Sequence, residues 1–212
     1  MKKLINPNHT ALMAALVRPE LEKINMDALV TRVFDAIKSD GDSAIRDFTL
    51  QFDHVSLDDL LVSEFEIQQA SNNINEDLKA AIRIAAQNIE KFHAAQKEEP
   101  LQIETSPGVF CWRKSEGIEK VGLYIPGGTA PLFSTILMLA IPAKLAGCRE
   151  IILCTPPNKS GAIHPAILFA AALVGVTKIV KCGGIQAIAA LTYGTESVPA
   201  VYKIFGPGNQ YV

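Results

Sequence analysis

Four short apolar runs, each closing on glycine or proline and each followed by a helix-length stretch, constrain this chain more than any other feature. The run 121–125 ends in Pro126-Gly127-Gly128, and 150–154 ends in Thr155-Pro156-Pro157. The run 178–182 ends in Gly183-Gly184, and 202–205 ends in Gly206-Pro207-Gly208. Their starts at 121, 150, 178 and 202 lie 29, 28 and 24 residues apart. Between them lie apolar stretches of helical character at 134–146, 165–173 and 185–193, closed by Gly147, Gly175 and Gly194. Buried strands alternating with helices predict βαβ units and a parallel sheet. Right-handed crossovers then bring every strand's C-terminal end to the same edge.

That edge is where open parallel sheets bind ligands. Glycine there lets backbone approach a ligand with no Cβ in the way, and helix N-termini offer unpaired N–H groups to phosphate. Tyr124 ends the first run, Gln186 follows Gly183-Gly184, and Asn209 follows Gly208. One aromatic face and two amides suit a heterocycle and ribose hydroxyls. Ordinary turn chemistry is the competing reading, with Asn209 as a helix cap. No G-x-G-x-x-G occurs, and Cys154-Thr155 stands where a dinucleotide fold carries an acidic residue at the end of its second strand. A Walker A sequence is absent too. The residues alone point to a small ligand at a sheet edge, a nucleotide among the candidates.

The first hundred residues follow a helical period. After Asn25 as N-cap, Val30, Val33, Phe34 and Ile37 share a face until Asp40-Gly41 stops the helix, and Ile45, Phe48 and Phe52 continue in a second. Ser63 and Glu66 form a capping box that opens a third. A fourth runs from about Asn75 to Gln96 on a stripe of Leu78, Ile82, Ala85, Ile89 and Phe92, with Lys79, Arg83, Glu90 and Lys91 off the stripe. This half reads as scaffold. Between Leu101 and Lys120 the texture is that of strands, turning at Pro107-Gly108, and a packing role is expected for Trp112, the single tryptophan.

A net charge of -2 gives no footprint for nucleic acid or for a membrane surface. The longest apolar run, 165–176, is too short to span a bilayer, and the first residues do not form a signal peptide, so a cytoplasmic protein is expected. Cys111, Cys148, Cys154 and Cys182 form no C-x-x-C pair; buried, reduced thiols are expected. His9, His54, His93 and His164 are scattered without metal-ligand spacing. His164, before Pro165, reads as a helix start, and His93 as a solvated helix end.

Four long segments together resemble histidinol dehydrogenases. They are 121–135 (VGLYIPGGTAPLFST), 183–191 (GGIQAIAAL), 194–199 (GTESVP) and 203–209 (KIFGPGN). The helical half is similar to the family from about Asn25, including 41–46 and 88–93. The resemblance implies an α/β fold: a helical N-terminal region followed by an incomplete Rossmann-like parallel βαβ sheet domain. It implies an extension at 1–24, a mainly helical part of a first domain at 25–120, and an NAD-binding domain at 121–212. It implies a homodimer that oxidises L-histidinol to L-histidine through the aldehyde, with two NAD and one zinc ion. By the same resemblance Tyr124, Gln186 and Asn209 contact NAD. The family's glutamate–histidine pair, zinc ligands and histidinol contacts lie beyond the Gly-Pro-Gly-Asn motif. No catalytic or metal residue is therefore assigned here, and the 212-residue chain alone is expected to be inactive. The alternative is a non-catalytic module for nucleotide binding or oligomerisation.

Overall fold

The computed structural model describes residues 3–17, 26–128 and 130–207. The expected parallel sheet is present. It comprises β3 (Lys120–Tyr124), β4 (Glu150–Thr155), β5 (Lys178–Lys181) and β6 (Lys203–Phe205), in the order β5-β4-β3-β6. All three pairings are parallel, with Tyr124 opposite Cys154, Cys154 opposite Val180, and Leu123 opposite Phe205. Counted from β3, the strands run third, second, first, fourth, the order with which a dinucleotide-binding sheet begins. The chain steps outward from β3 to β5 and then crosses back to β6, so the order reverses between β3 and β6.

The crossovers are helices α5 (Phe133–Leu145), α6 (Pro165–Val174) and α7 (Gly184–Tyr193). Before them come α1 (His9–Leu16), α2 (Asp27–Asp53), α3 (Glu64–Asn72), α4 (Glu76–Ala94) and an antiparallel hairpin of β1 (Leu101–Ser106) and β2 (Val109–Arg113). Strand residues alternate between two cores, as the pleat requires. Val121, Leu123, Ile151, Leu153 and Ile179 enter one with residues of α3, α4, α5 and α6. Tyr124, Ile152, Cys154 and Val180 enter the other with residues of α2 and α7. Both faces of the sheet thus take helical cover from the first hundred residues. The chain after α2 also covers an edge: the Val62 N–H donates to the Ile179 carbonyl at 2.9 Å, and the Lys181 N–H to the Leu60 carbonyl at 2.7 Å. This protects β5 from pairing elsewhere.

Local signals account for the helix boundaries. The Ser63–Glu66 capping box forms with both of its hydrogen bonds, and Asn75 caps α4 through the Leu78 N–H. His164 caps α6, its Nδ1 accepting from the Ala166 N–H at 3.1 Å. The break expected at Gly41 is a kink inside α2, with φ 54° and ψ -127°. Asn25 lies outside the described residues.

Five side chains depart from expectation. Lys79, placed off the α4 stripe, is buried, because it folds back 2.7 Å onto Glu76. Phe92, placed on the stripe, is 63% exposed. Trp112, expected to pack, is 71% exposed on a hairpin whose strands carry no buried residue. Cys111 on the same hairpin is exposed and Cys148 only half-buried, whereas Cys154 and Cys182 are fully buried. No helix of the described residues is long and apolar enough to cross a membrane.

Candidate cofactor site

The C-terminal ends of β3, β4 and β5 close on one another through glycine. A Cβ on Gly183 would sit 2.6 Å from Pro156 Cβ, so the turn after β5 packs directly against the Pro156 ring after β4. Only a residue without a side chain allows that approach. Gly206 plays the same part after β6, where a Cβ would lie 2.6 Å from the Tyr124 carbonyl oxygen. The strand ends on this edge are therefore closely packed, the turn after β5 against Pro156 and the turn after β6 against the Tyr124 backbone.

Tyr124 is 4% exposed, and its phenol oxygen accepts from the Gly184 N–H at 3.2 Å. Burial pushes the phenol above its ordinary range. The Gly184 N–H opposes this, while the Asp53 carboxylate adds to it. The hydroxyl therefore keeps its proton at neutral pH and can donate it to a ligand. Gln186, in the first turn of α7, is 1% exposed, and its Oε1 is buried with no hydrogen-bond partner. That oxygen would lie 3.0 Å from a Cβ on Gly184, so Tyr124 and Gln186 meet around the same glycine. No side chain caps α7, whose N-cap is Gly183. The first turn thus presents N–H groups toward this edge, a favourable setting for phosphate. Asn209 lies outside the described residues.

Two cysteines lie beside this edge. Burial pushes the Cys154 thiol up to about 12 and raises Cys182 well above its ordinary value, so both stay protonated at neutral pH. Among the described residues no group of three His, Cys, Asp or Glu could hold a metal ion.

Two further carboxylates matter, and the sequence reading passed over both. Asp42, just after the kink in α2, accepts from Thr195 Oγ1 at 2.6 Å, from Ser197 Oγ at 2.5 Å and from the Ser197 N–H at 3.2 Å. The Asp42 N–H donates to Glu196 Oε2 at 2.9 Å. The segment Gly194–Pro199 is thereby locked onto α2, which fixes the far end of α7. Burial resists the charge on Asp42, but the bonds from Ser197 and Thr195 and the nearby Arg46 outweigh it and hold its pKa below the usual range. Asp53, the last residue of α2, has the opposite character. Its Oδ2 is buried with no partner, and burial raises its pKa, only partly offset by His54. The Asp42 pairing leaves no local signature in the sequence, because its partners lie on a segment far along the chain.

Comparison with known proteins agrees with this geometry. The sequence model of the histidinol dehydrogenase family matches residues 16–212. Histidinol dehydrogenase of Bacteroides thetaiotaomicron is 57% identical over 213 residues, covering 100% of this chain and 50% of the relative. That of Escherichia coli O157:H7 is 48% identical over 198 residues, covering 93% of this chain and 45% of the relative. The crystal structure of histidinol dehydrogenase from Elizabethkingia anophelis superposes with a TM-score of 0.94 at 51% identity, covering 98% of this chain and 48% of that one. The chain spans about half the length of the curated relatives it matches.

Proposed function

Because the chain belongs to the histidinol dehydrogenase family, we propose that it is the NAD-binding half of an enzyme that oxidises L-histidinol to L-histidine through the aldehyde in histidine biosynthesis. The observation that carries this reading is the convergence of Tyr124 and Gln186 on Gly184 at the C-terminal edge of the parallel sheet, with the Gln186 carboxamide oxygen buried and unpaired. A buried acceptor without a partner is costly, and a ligand that donates a hydrogen bond relieves it.

NAD, when bound, supplies the hydride acceptor. The residues of this chain supply position. The Tyr124 hydroxyl donates at this edge, Gln186 Oε1 accepts from the cofactor's hydroxyl or amide groups, and the N–H groups opening α7 face its phosphates. Asn209 is a third proposed contact. We assign residues 25–120 to the cover and first domain, and 121–212 to the cofactor domain. A general base removes the substrate's alcohol proton as hydride leaves. We place that base, the zinc ligands and the histidinol contacts in the family's other half. The described residues offer zinc no ligand set, and no step is routed through it.

We propose a cytoplasmic homodimer. Association is supported by α1, which buries no residue, and by the hairpin, on which Leu101, Ile103, Val109, Phe110 and Trp112 are each at least half exposed. The same surfaces favour the second reading, an oligomerisation module, but they leave the unpaired Gln186 unexplained.

Calorimetric titration with NAD tests the cofactor assignment. Gln186→Ala is expected to weaken binding by about tenfold, the loss of roughly one well-made hydrogen bond. Equal affinity in the variant would remove Gln186 from the site.

A further inference from the structure

We propose that Asp53 is a further cofactor-binding residue, which accepts the ribose hydroxyls of the dinucleotide and selects against a 2′-phosphate. The inference rests on reading the C-terminal edge of the sheet as an NAD site.

Dinucleotide-binding sheets commonly place a carboxylate at the end of the second strand to take the ribose hydroxyls. In this sheet the second strand is β4, and it ends in Cys154-Thr155, both buried and neither acidic. Asp53 closes α2, and Phe48 in the turn before it and Val55 two residues after it pack in one apolar cluster with Tyr124, Cys154, Cys182 and Ala187. Those four stand at the C-terminal ends of β3, β4 and β5 and at the start of α7. The helix that Asp53 closes thus packs on the side of the sheet that carries Tyr124 and Cys182.

Asp42 shows what a structural carboxylate looks like in this protein. It sits on the same helix, is buried, and has hydrogen bonds to both oxygens. Asp53 leaves Oδ2 buried without a partner. A half-buried carboxylate with one oxygen enclosed and unpaired carries a desolvation cost, and such groups persist where a ligand completes them. Gln186 Oε1 is the second unpaired acceptor at this edge, supplied by a different element. A ribose diol offers two donors, which two separated acceptors can take. A 2′-phosphate would instead bring negative charge toward the carboxylate.

Calorimetric titration of the 212-residue chain with NAD and with NADP separates the possibilities. Wild type is expected to prefer NAD. Asp53→Asn, which keeps the side chain's shape, is expected to lose about tenfold in NAD affinity and to narrow the preference over NADP. Asp53→Ser is a second variant expected to change in the same sense. Unchanged NAD and NADP affinities in both Asp53 variants, with Gln186→Ala still weakened, would overturn the role of Asp53 and leave the cofactor site standing. A wild-type chain that binds neither dinucleotide would overturn both.

Discussion

The two faces of the sheet are built to different rules. The face under α3, α4, α5 and α6 takes its strand residues from valine, leucine and isoleucine alone. The face under α2 and α7 takes a tyrosine and two cysteines among its aliphatic residues. Among the described residues, the three buried side-chain polar atoms without partners, on Thr49, Asp53 and Gln186, belong to α2 and α7. One face therefore holds the sheet together, while the other accepts unsatisfied chemistry. Sequences depart from apolar packing where a site has to be built. The contrast agrees with the proposed cofactor site on the face under α2 and α7.

The sharpest way to break this contrast is to empty each face in turn. Leu153 points into the aliphatic face and is fully buried. Leu153→Ala should cost about 3 kcal/mol in urea denaturation, the transfer loss plus a cavity the strand cannot collapse. A cost below about 1 kcal/mol would mean that this face is not the rigid one.

Asp42 tests the other face next, through the lock that fixes the end of α7. Asp42→Ala removes three hydrogen bonds to a carboxylate and strands the Ser197 and Thr195 hydroxyls, with an expected loss of about 2 kcal/mol. The lock has a pH signature. Because the folded pKa of Asp42 is depressed, its stabilisation is fully present above the unfolded value near 3.8 and is lost as pH falls through the folded value. Denaturation midpoints below pH 4 should therefore fall less steeply in Asp42→Ala than in wild type. Parallel acid profiles would assign the acid sensitivity to other groups.

Much of this was legible in the sequence wherever the signal was local. Strand runs and helix stops were visible because alternation, capping residues and glycine turns act within a few positions. The edge carrying Tyr124 and Gln186 followed from chain order and crossover rules, since parallel strands must end together. The Ser63–Glu66 capping box and the kink at Gly41 were readable for the same reason. Long-range pairing was not. Asp42 reaches Thr195 and Ser197, and the end of α2 packs with strand ends far along the chain, so no window of sequence contains both partners. Trp112 was misjudged because its ring tells how much surface it can bury, not whether another surface is present. Lys79 was misjudged because its apolar stem lies along the helix while its amine turns back to Glu76.

The smallest expected effect sharpens the comparison most, because it runs opposite to the others. Folding raises the pKa of Asp53, so the folded state holds this proton more tightly than the unfolded chain. Stability contributed by the protonated group is then present below the unfolded value near 3.8 and is lost as pH rises through the folded value. At neutral pH the ionised carboxylate is a liability. Asp53→Asn should therefore stabilise the ligand-free chain at pH 7, by about 0.5 kcal/mol after allowance for partial exposure and solvent screening. The same substitution is expected to weaken NAD binding. A residue whose removal stabilises the fold while impairing the site is retained for binding rather than for packing. If Asp53→Asn destabilised the chain at pH 7, the carboxylate would be held by a contact of its own, and the face under α2 and α7 would be no less satisfied than the aliphatic one.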